Sequence, residues 1–128
     1  MYNGVMRAEM NPPKRQGAGL DKNTKLALRE LQKALSSLYG EKTPRIVVYG
    51  STAREQATDS SDVDVMLLYP SRVQPGREIA RLSAILADLN LRYQVLISVV
   101  PASEEEYRET LGSFWSNVRK EGIPIDAI

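Results

Sequence analysis

Val47-Val48-Tyr49-Gly50-Ser51-Thr52-Ala53-Arg54-Glu55-Gln56-Ala57-Thr58-Asp59-Ser60-Ser61-Asp62-Val63-Asp64-Val65-Met66-Leu67-Leu68-Tyr69 is the stretch that decides the fold. Its pattern is a buried strand, a Gly-Ser turn, a short helix, a polar loop and a second strand opened by two carboxylates. Val47 to Tyr49 and Val65 to Tyr69 are the β-branched, apolar and aromatic runs of interior strands. Side chains alternate across a strand, so Asp62 and Asp64 share one face and Val63 takes the other. Two adjacent carboxylates on a rigid strand repel unless a cation sits between them. All-oxygen ligation of this kind suits Mg²⁺, which takes one or two carboxylates with water and substrate phosphates.

The Gly-Ser half supplies what a nucleotide needs. Gly50 has no Cβ, so its backbone can approach a ligand closely or take a positive φ. Ser51 can cap the following helix or donate its hydroxyl to a phosphate, and the N–H groups at a helix start form an anion site. Arg54, one turn into that helix, is placed for a triphosphate tail, with a surface pairing to Glu55 or Asp59 as the equal alternative. An Asp-x-Asp after a loop is also an ordinary turn feeding a strand, and a Gly-Ser pair is also an ordinary cap. Their joint occurrence at two strand ends favours a Mg·nucleotide site.

At Gly50-Ser51, followed after ten residues by Asp62-x-Asp64, the chain resembles the DNA polymerase β-like nucleotidyltransferase superfamily. In length and loop content it is most similar to the minimal nucleotidyltransferases, small prokaryotic proteins often paired with a helical HEPN partner. Thr52-Ala53-Arg54 and Ser60-Ser61 fit that group; Glu55-Gln56 replaces its usual Gly-Glu. The resemblance spans about Leu26 to Ile125. It implies an α/β (α+β) nucleotidyltransferase fold, a small mixed sheet of about three or more strands flanked by helices. It also implies catalysis and metal binding by Asp62 and Asp64, and nucleotide binding by Gly50, Ser51 and Arg54.

Composition narrows the chemistry. A chain of 128 residues with 42% hydrophobic and 26% charged residues is one ordinary globular domain. A net charge of +1 gives no field for duplex binding or an anionic membrane. With no cysteine and no histidine, thiol nucleophiles, disulfides, imidazole bases and His-ligated zinc are excluded. Carboxylates, hydroxyls, Lys, Arg and a hard cation remain. No apolar run is long enough for a membrane helix or a signal peptide, so the cytoplasm is the expected location.

Residues 1–20 read as a flexible extension, broken by Pro12-Pro13; the crowding of Met1, Met6 and Met10 leaves the true start open. The domain proper is 21–128. Asp21 is the expected N-cap of a helix to about Tyr39, with Gly40 as stop and Leu28, Leu31, Leu35 and Leu38 as its apolar stripe. After a strand over Arg45–Tyr49 and the motif, a helix is expected over about Arg77–Leu89. Ile79, Leu82, Ile85, Leu86 and Leu89 form its buried face and Asn90 its end.

A third strand is expected over about Tyr93–Val100, with Gln94, Leu96, Ser98 and Val100 on one face and Pro101-Ala102 breaking it. Superfamily resemblance implies a third carboxylate on this strand, facing the Asp pair, yet no Asp or Glu occurs between Asp88 and Glu104. Gln94 and Ser98 are polar residues of this face, but neither replaces a carboxylate, and both read as ordinary strand residues. Ser103 and Glu106 form a capping box for the last helix, where Glu104, Glu105 and Glu106 complement the dipole rather than bind metal. Tyr107, Leu111, Phe114, Trp115 and Val118 make its apolar face, Gly122 stops it, and Ile123-Pro124-Ile125 runs extended.

The function implied is Mg²⁺-dependent transfer of AMP from ATP to an acceptor hydroxyl. For the minimal group the acceptor is a partner protein of HEPN type, which makes this chain the antitoxin of a toxin–antitoxin pair. The alternative is a nucleotide-binding partner subunit that has lost efficient transfer with the third acid. An aminoglycoside-modifying enzyme ranks last, because such enzymes need an added drug-binding domain or dimerisation and a carboxylate base. Dimer or heteromer formation stays open.

Overall fold

The computed structural model describes residues 20–50, 53 and 62–128. Within them a four-stranded mixed sheet of order β3-β2-β1-β4 carries helices on both faces. Of the expected extension over 1–20, residues 1–19 lie outside the described residues, as does the expected short helix after Gly50 apart from Ala53. Leu20, at the edge of that extension, is buried in the core.

Helix α1 (Lys22–Tyr39) begins and ends on the residues that chain chemistry picks out. The Asp21 carboxylate accepts from the Thr24 N–H at 2.8 Å. Gly40, at φ 60°, closes the last turn by donating its N–H to the Ser36 carbonyl. Leu28, Leu31 and Leu35 are fully buried against the sheet, each worth ~1.5–3 kcal/mol of transfer free energy. Leu38, the fourth residue of the expected stripe, is 45% exposed, and Tyr39 beside it packs against Tyr69 of the sheet instead.

Strands β1 (Arg45–Tyr49) and β2 (Val63–Tyr69) pair antiparallel, Tyr49 opposite Asp64 and Arg45 opposite Leu68. Ile46, Val48, Val63, Val65 and Leu67 face α1 and α2 (Pro75–Tyr93). Val47, Met66 and Leu68 face the opposite side. Both sides are apolar, which is why these runs read as continuous rather than alternating.

Helix α2 extends four residues beyond its expected end, and the third strand is displaced accordingly. Helical periodicity continues through Asn90-Leu91-Arg92-Tyr93, and the chain turns only at Gln94, which takes the left-handed conformation at φ 53° without a glycine. Asn90 does not end the helix but serves the turn from within it. Its carbonyl accepts from the Gln94 and Val95 N–H groups, and its side chain accepts from the Ile97 N–H at 3.0 Å. Glu30 and Asp88 both bind Arg92, and Glu30 also accepts from the Tyr93 hydroxyl, tying this end to α1. Ile79, expected in the buried face, is 45% exposed.

Strand β3 (Ile97–Ser103) runs parallel to β2, with Ser98 beside Asp64 and Ser103 beside Tyr69. Pro101 and Ala102 do not break it. β3 is an edge strand paired on one side only, so the N–H that Pro101 lacks is not needed by a neighbour.

The expected single last helix is two. The capping box forms, Ser103 accepting from the Glu106 N–H and Glu106 from the Ser103 N–H, each at 3.0 Å. Yet α3 (Glu104–Glu109) ends after six residues, and α4 (Ser113–Glu121) starts beyond Gly112, whose φ of 114° no helix accommodates. Arg119 of α4 reaches back to donate to the Tyr107 and Thr110 carbonyls at 2.8 and 3.0 Å, satisfying the open end of α3. The break turns Leu111 out to solvent, 88% exposed, while Val118 stays buried with Met66 and Ala102.

Strand β4 (Ile123–Pro124) then pairs with β1 through Val47 and Val48. Gly122 permits this return: a Cβ there would lie 2.5 Å from the Val118 carbonyl oxygen and 2.6 Å from Val47 Cγ1. Gly122→Ala should therefore lower stability by about 1–3 kcal/mol in denaturant unfolding. A loss below about 0.5 kcal/mol would show that α4 and β4 yield without strain.

Candidate functional site

Pairing of β1 with β2 brings the two ends of the motif together. Gly50 follows the last residue of β1 and adopts φ 79°, a region costly for any residue with a side chain. A Cβ built on it would lie 2.5 Å from Asp64 Oδ2, so the carboxyl group of Asp64 rests directly on the glycine backbone. Two independent requirements, positive φ and absent side-chain volume, thus converge on one residue.

Asp64 is half-buried in β2 and Asp62 is exposed just before the strand. Strand alternation sets both on one face. On that face Tyr49, Asp64 and Ser98 form a row across three strands, since Tyr49 is Asp64's partner in β1 and Ser98 its partner in β3. The Tyr49 phenol is held above its ordinary pKa, first by burial and then by the charge of Asp64.

Gly50, Asp62 and Asp64 therefore meet at one end of the sheet. Ser51 and Arg54 lie outside the described residues. Gln94 is not on β3 at all but is the exposed residue closing α2. Ser98 is on β3 and occupies the position next to Asp64, with a hydroxyl where the family resemblance implies a carboxylate. Glu104 is committed elsewhere, paired with Arg45 at 2.7 and 3.0 Å beyond the opposite end of β3.

The donor set fits a hard divalent cation in one mode only. Oxygen is the sole ligand type, from the carboxylates of Asp62 and Asp64. Among the described residues no group of three or more His, Cys, Asp or Glu side chains could hold a metal. Two carboxylates that leave the remaining positions to water and ligand phosphates match Mg²⁺ bound together with a nucleotide, not a protein cage.

A recess of about 180 Å³ opens beside Gly50, lined by Tyr49, Phe114, Asn117, Val118 and Glu121. Phe114 stands edge-on to Tyr49, with ring centroids 5.8 Å apart, and edge-on to Trp115 at 5.6 Å. Helical periodicity assigns Phe114 to the core, but it is 45% exposed. The overlooked signal was Gly112, which resets the phase of α4 relative to α3.

Comparison with known proteins gives the family. A family model described as a nucleotidyltransferase domain matches residues 28–122. Two proteins of Methanocaldococcus jannaschii, each named as a candidate protein adenylyltransferase, are similar over nearly their whole length. One is 30% identical over 101 residues, 78% of this chain and 95% of the relative. The other is 28% identical over 99 residues, 77% of this chain and 94% of the relative. A crystal structure described as a toxin–antitoxin with AMP-PNP shares the fold, with a TM-score of 0.54 at 17% identity. That match covers 79% of this chain and 71% of the other.

Two outcomes follow from the geometry. Gly50→Ala should cost about 1–3 kcal/mol of stability and displace Asp64. Unfolding curves matching the parent would contradict the contact. Asp64→Asn should lower the Tyr49 phenol pKa while leaving it above 10.0, because burial is the larger cause. Alkaline difference titration against Tyr49→Phe measures it; an unchanged value would separate the two residues. The folded-state pKa is raised, so this phenol's stabilising contribution is complete below the unfolded pKa and is lost as pH rises through the folded one.

Proposed function

Since the chain belongs to the nucleotidyltransferase domain family, we propose that it transfers AMP from ATP to a hydroxyl on a partner protein. The observation that carries the reading is the seating of Asp64's carboxyl group on Gly50. It joins a glycine turn suited to phosphates with a pair of carboxylates suited to a divalent cation. Both M. jannaschii relatives bear protein adenylyltransferase names, which supports AMP as the group and protein as the acceptor. The toxin–antitoxin neighbour with AMP-PNP supports a nucleotide ligand and a toxin partner; that the partner is of HEPN type, with this chain as antitoxin, rests on the motif resemblance alone.

In the proposed reaction the acceptor oxygen bonds to the α-phosphorus as the α–β bridging P–O bond breaks. Pyrophosphate leaves with that electron pair, and the hydroxyl proton passes to water. Asp62 and Asp64 would hold Mg²⁺, which when bound neutralises charge on the triphosphate. Gly50 and Ser51 would orient the phosphates, with Arg54 adding charge. Ser98 beside Asp64 cannot take the acceptor's proton at neutral pH, so transfer should be slow. That hydroxyl also favours a second reading, a subunit that binds nucleotide but scarcely turns it over.

Transfer of label from α-labelled ATP to the product of a neighbouring gene, with Mg²⁺ present, tests the proposal. Label is expected on the partner, absent with Asp62→Ala or Asp64→Ala, and increased about tenfold or more by Ser98→Asp. Nucleotide binding without label in either the parent or Ser98→Asp would favour the binding subunit instead.

A further inference from the structure

A second charged site lies at the opposite end of β2, about 16 Å along the strand from Asp64. Here Tyr39, Lys42, Tyr69, Ser71, Arg72, Gln74, Arg77 and Glu78 line a cleft of about 540 Å³, within the range of small-molecule sites. Its floor is fixed. Glu78 is only 7% exposed and accepts from the Tyr39 hydroxyl, while the Tyr39 and Tyr69 hydroxyls lie 3.4 Å apart with their rings edge-on. Burial holds both phenols above the ordinary range, so they stay protonated and keep this floor intact.

The rim is cationic. Lys42 comes from the turn after α1, Arg72 from the loop after β2 and Arg77 from the first turn of α2. None of the three forms an ion pair among the described residues, whereas Arg45 and Arg92 on the same molecule do. The start of α2 adds backbone donors: Gln74, its N-cap, makes no side-chain capping bond. Arg72 also borders a recess lined by Glu105, Glu106 and Glu109, which repels an anion approaching from that side. Three exposed cations from three separate elements, none in an ion pair among the described residues, border one cleft and leave their donors open to an anionic ligand.

We propose that this cleft is a second, metal-independent binding site for a phosphate-bearing small molecule. Lys42, Arg72 and Arg77 hold its phosphate groups, and hydrogen-bond donors on its organic part face Glu78. Cations take the place here that the proposed function gives to a divalent ion beside Asp64, so the two sites separate by their need for metal.

Calorimetric titration of the full chain in EDTA, with AMP, inorganic phosphate and pyrophosphate as probes, tests this. At least one probe should saturate at submillimolar concentration. Arg72→Ala/Arg77→Ala should weaken that binding about tenfold or more with unchanged thermal unfolding, because both side chains are exposed. Asp64→Asn should leave it unaltered. AMP binding more tightly than phosphate would show that the organic part is read; equal affinity would assign the site to the phosphate group alone. Affinity weaker than about 1 mM for every probe would overturn the proposal. So would binding that survives the double substitution, or binding that disappears with Asp64→Asn. The last result would assign the ligand to the Gly50 end, and none of these outcomes depends on whether AMP is transferred.

Discussion

Everything at the reactive end of this fold depends on a carboxyl group packed where a Cβ would otherwise be. Asp64 can rest on the backbone at Gly50 because the β1–β2 register sets it opposite Tyr49, one residue before the glycine. Slip that register by one residue and every β2 side chain changes face, sending Asp64 into the α1–α2 layer. The register is held by burial on both sides: Val48, Val65 and Leu67 against one helical layer, Val47, Met66 and Leu68 against the other. The core therefore does more than stabilise the chain. It aims the carboxylates.

The two helical layers are unequal, and the inequality opens the site. Long helices α1 and α2 cover one face of the sheet, whereas short α3 and α4 cover the Asp64 face only from Met66 toward Ala102. In the row Tyr49–Asp64–Ser98, Tyr49 packs against Phe114 of α4, while Asp64 and Ser98 stay half-buried. Phe114, turned outward after Gly112, then walls a small recess beside Gly50 instead of closing it. At the far end the same β2 strand delivers Tyr69 to the cationic cleft, so one strand serves two polar sites separated by its apolar middle.

Much of this was legible in the sequence where local chemistry acts alone. Asp21 and Gly40 bracket α1, Ser103 and Glu106 form their box, and Gly50 takes a positive φ, each because one residue type answers one local geometric demand. Family resemblance and the four-stranded mixed sheet agree as well. The misreadings share a cause: tertiary contacts overrode punctuation. Asn90 looked like a helix end but is recruited by Ile97 of the next strand. Pro101 looked like a strand breaker but sits on an unpaired edge. The break at Gly112 was masked because Tyr107, Leu111, Phe114 and Val118 keep helical spacing across it, and the exposure of Leu111 and Phe114 reveals the change of phase. Ser98 was read as an ordinary strand residue because its significance lies in the β2–β3 register, which periodicity does not contain.

No helix among the described residues is long and apolar enough to cross a membrane. The most direct test of the account is calorimetric titration of ATP with and without Mg²⁺, in the parent and in Asp62→Ala and Asp64→Ala. The account predicts a Mg²⁺-dependent binding event that either substitution removes while the fold, followed by thermal unfolding, persists. Unchanged Mg²⁺-dependent affinity in both variants would contradict it, because the carboxylates that the sheet aims at Gly50 would then have no part in holding the nucleotide.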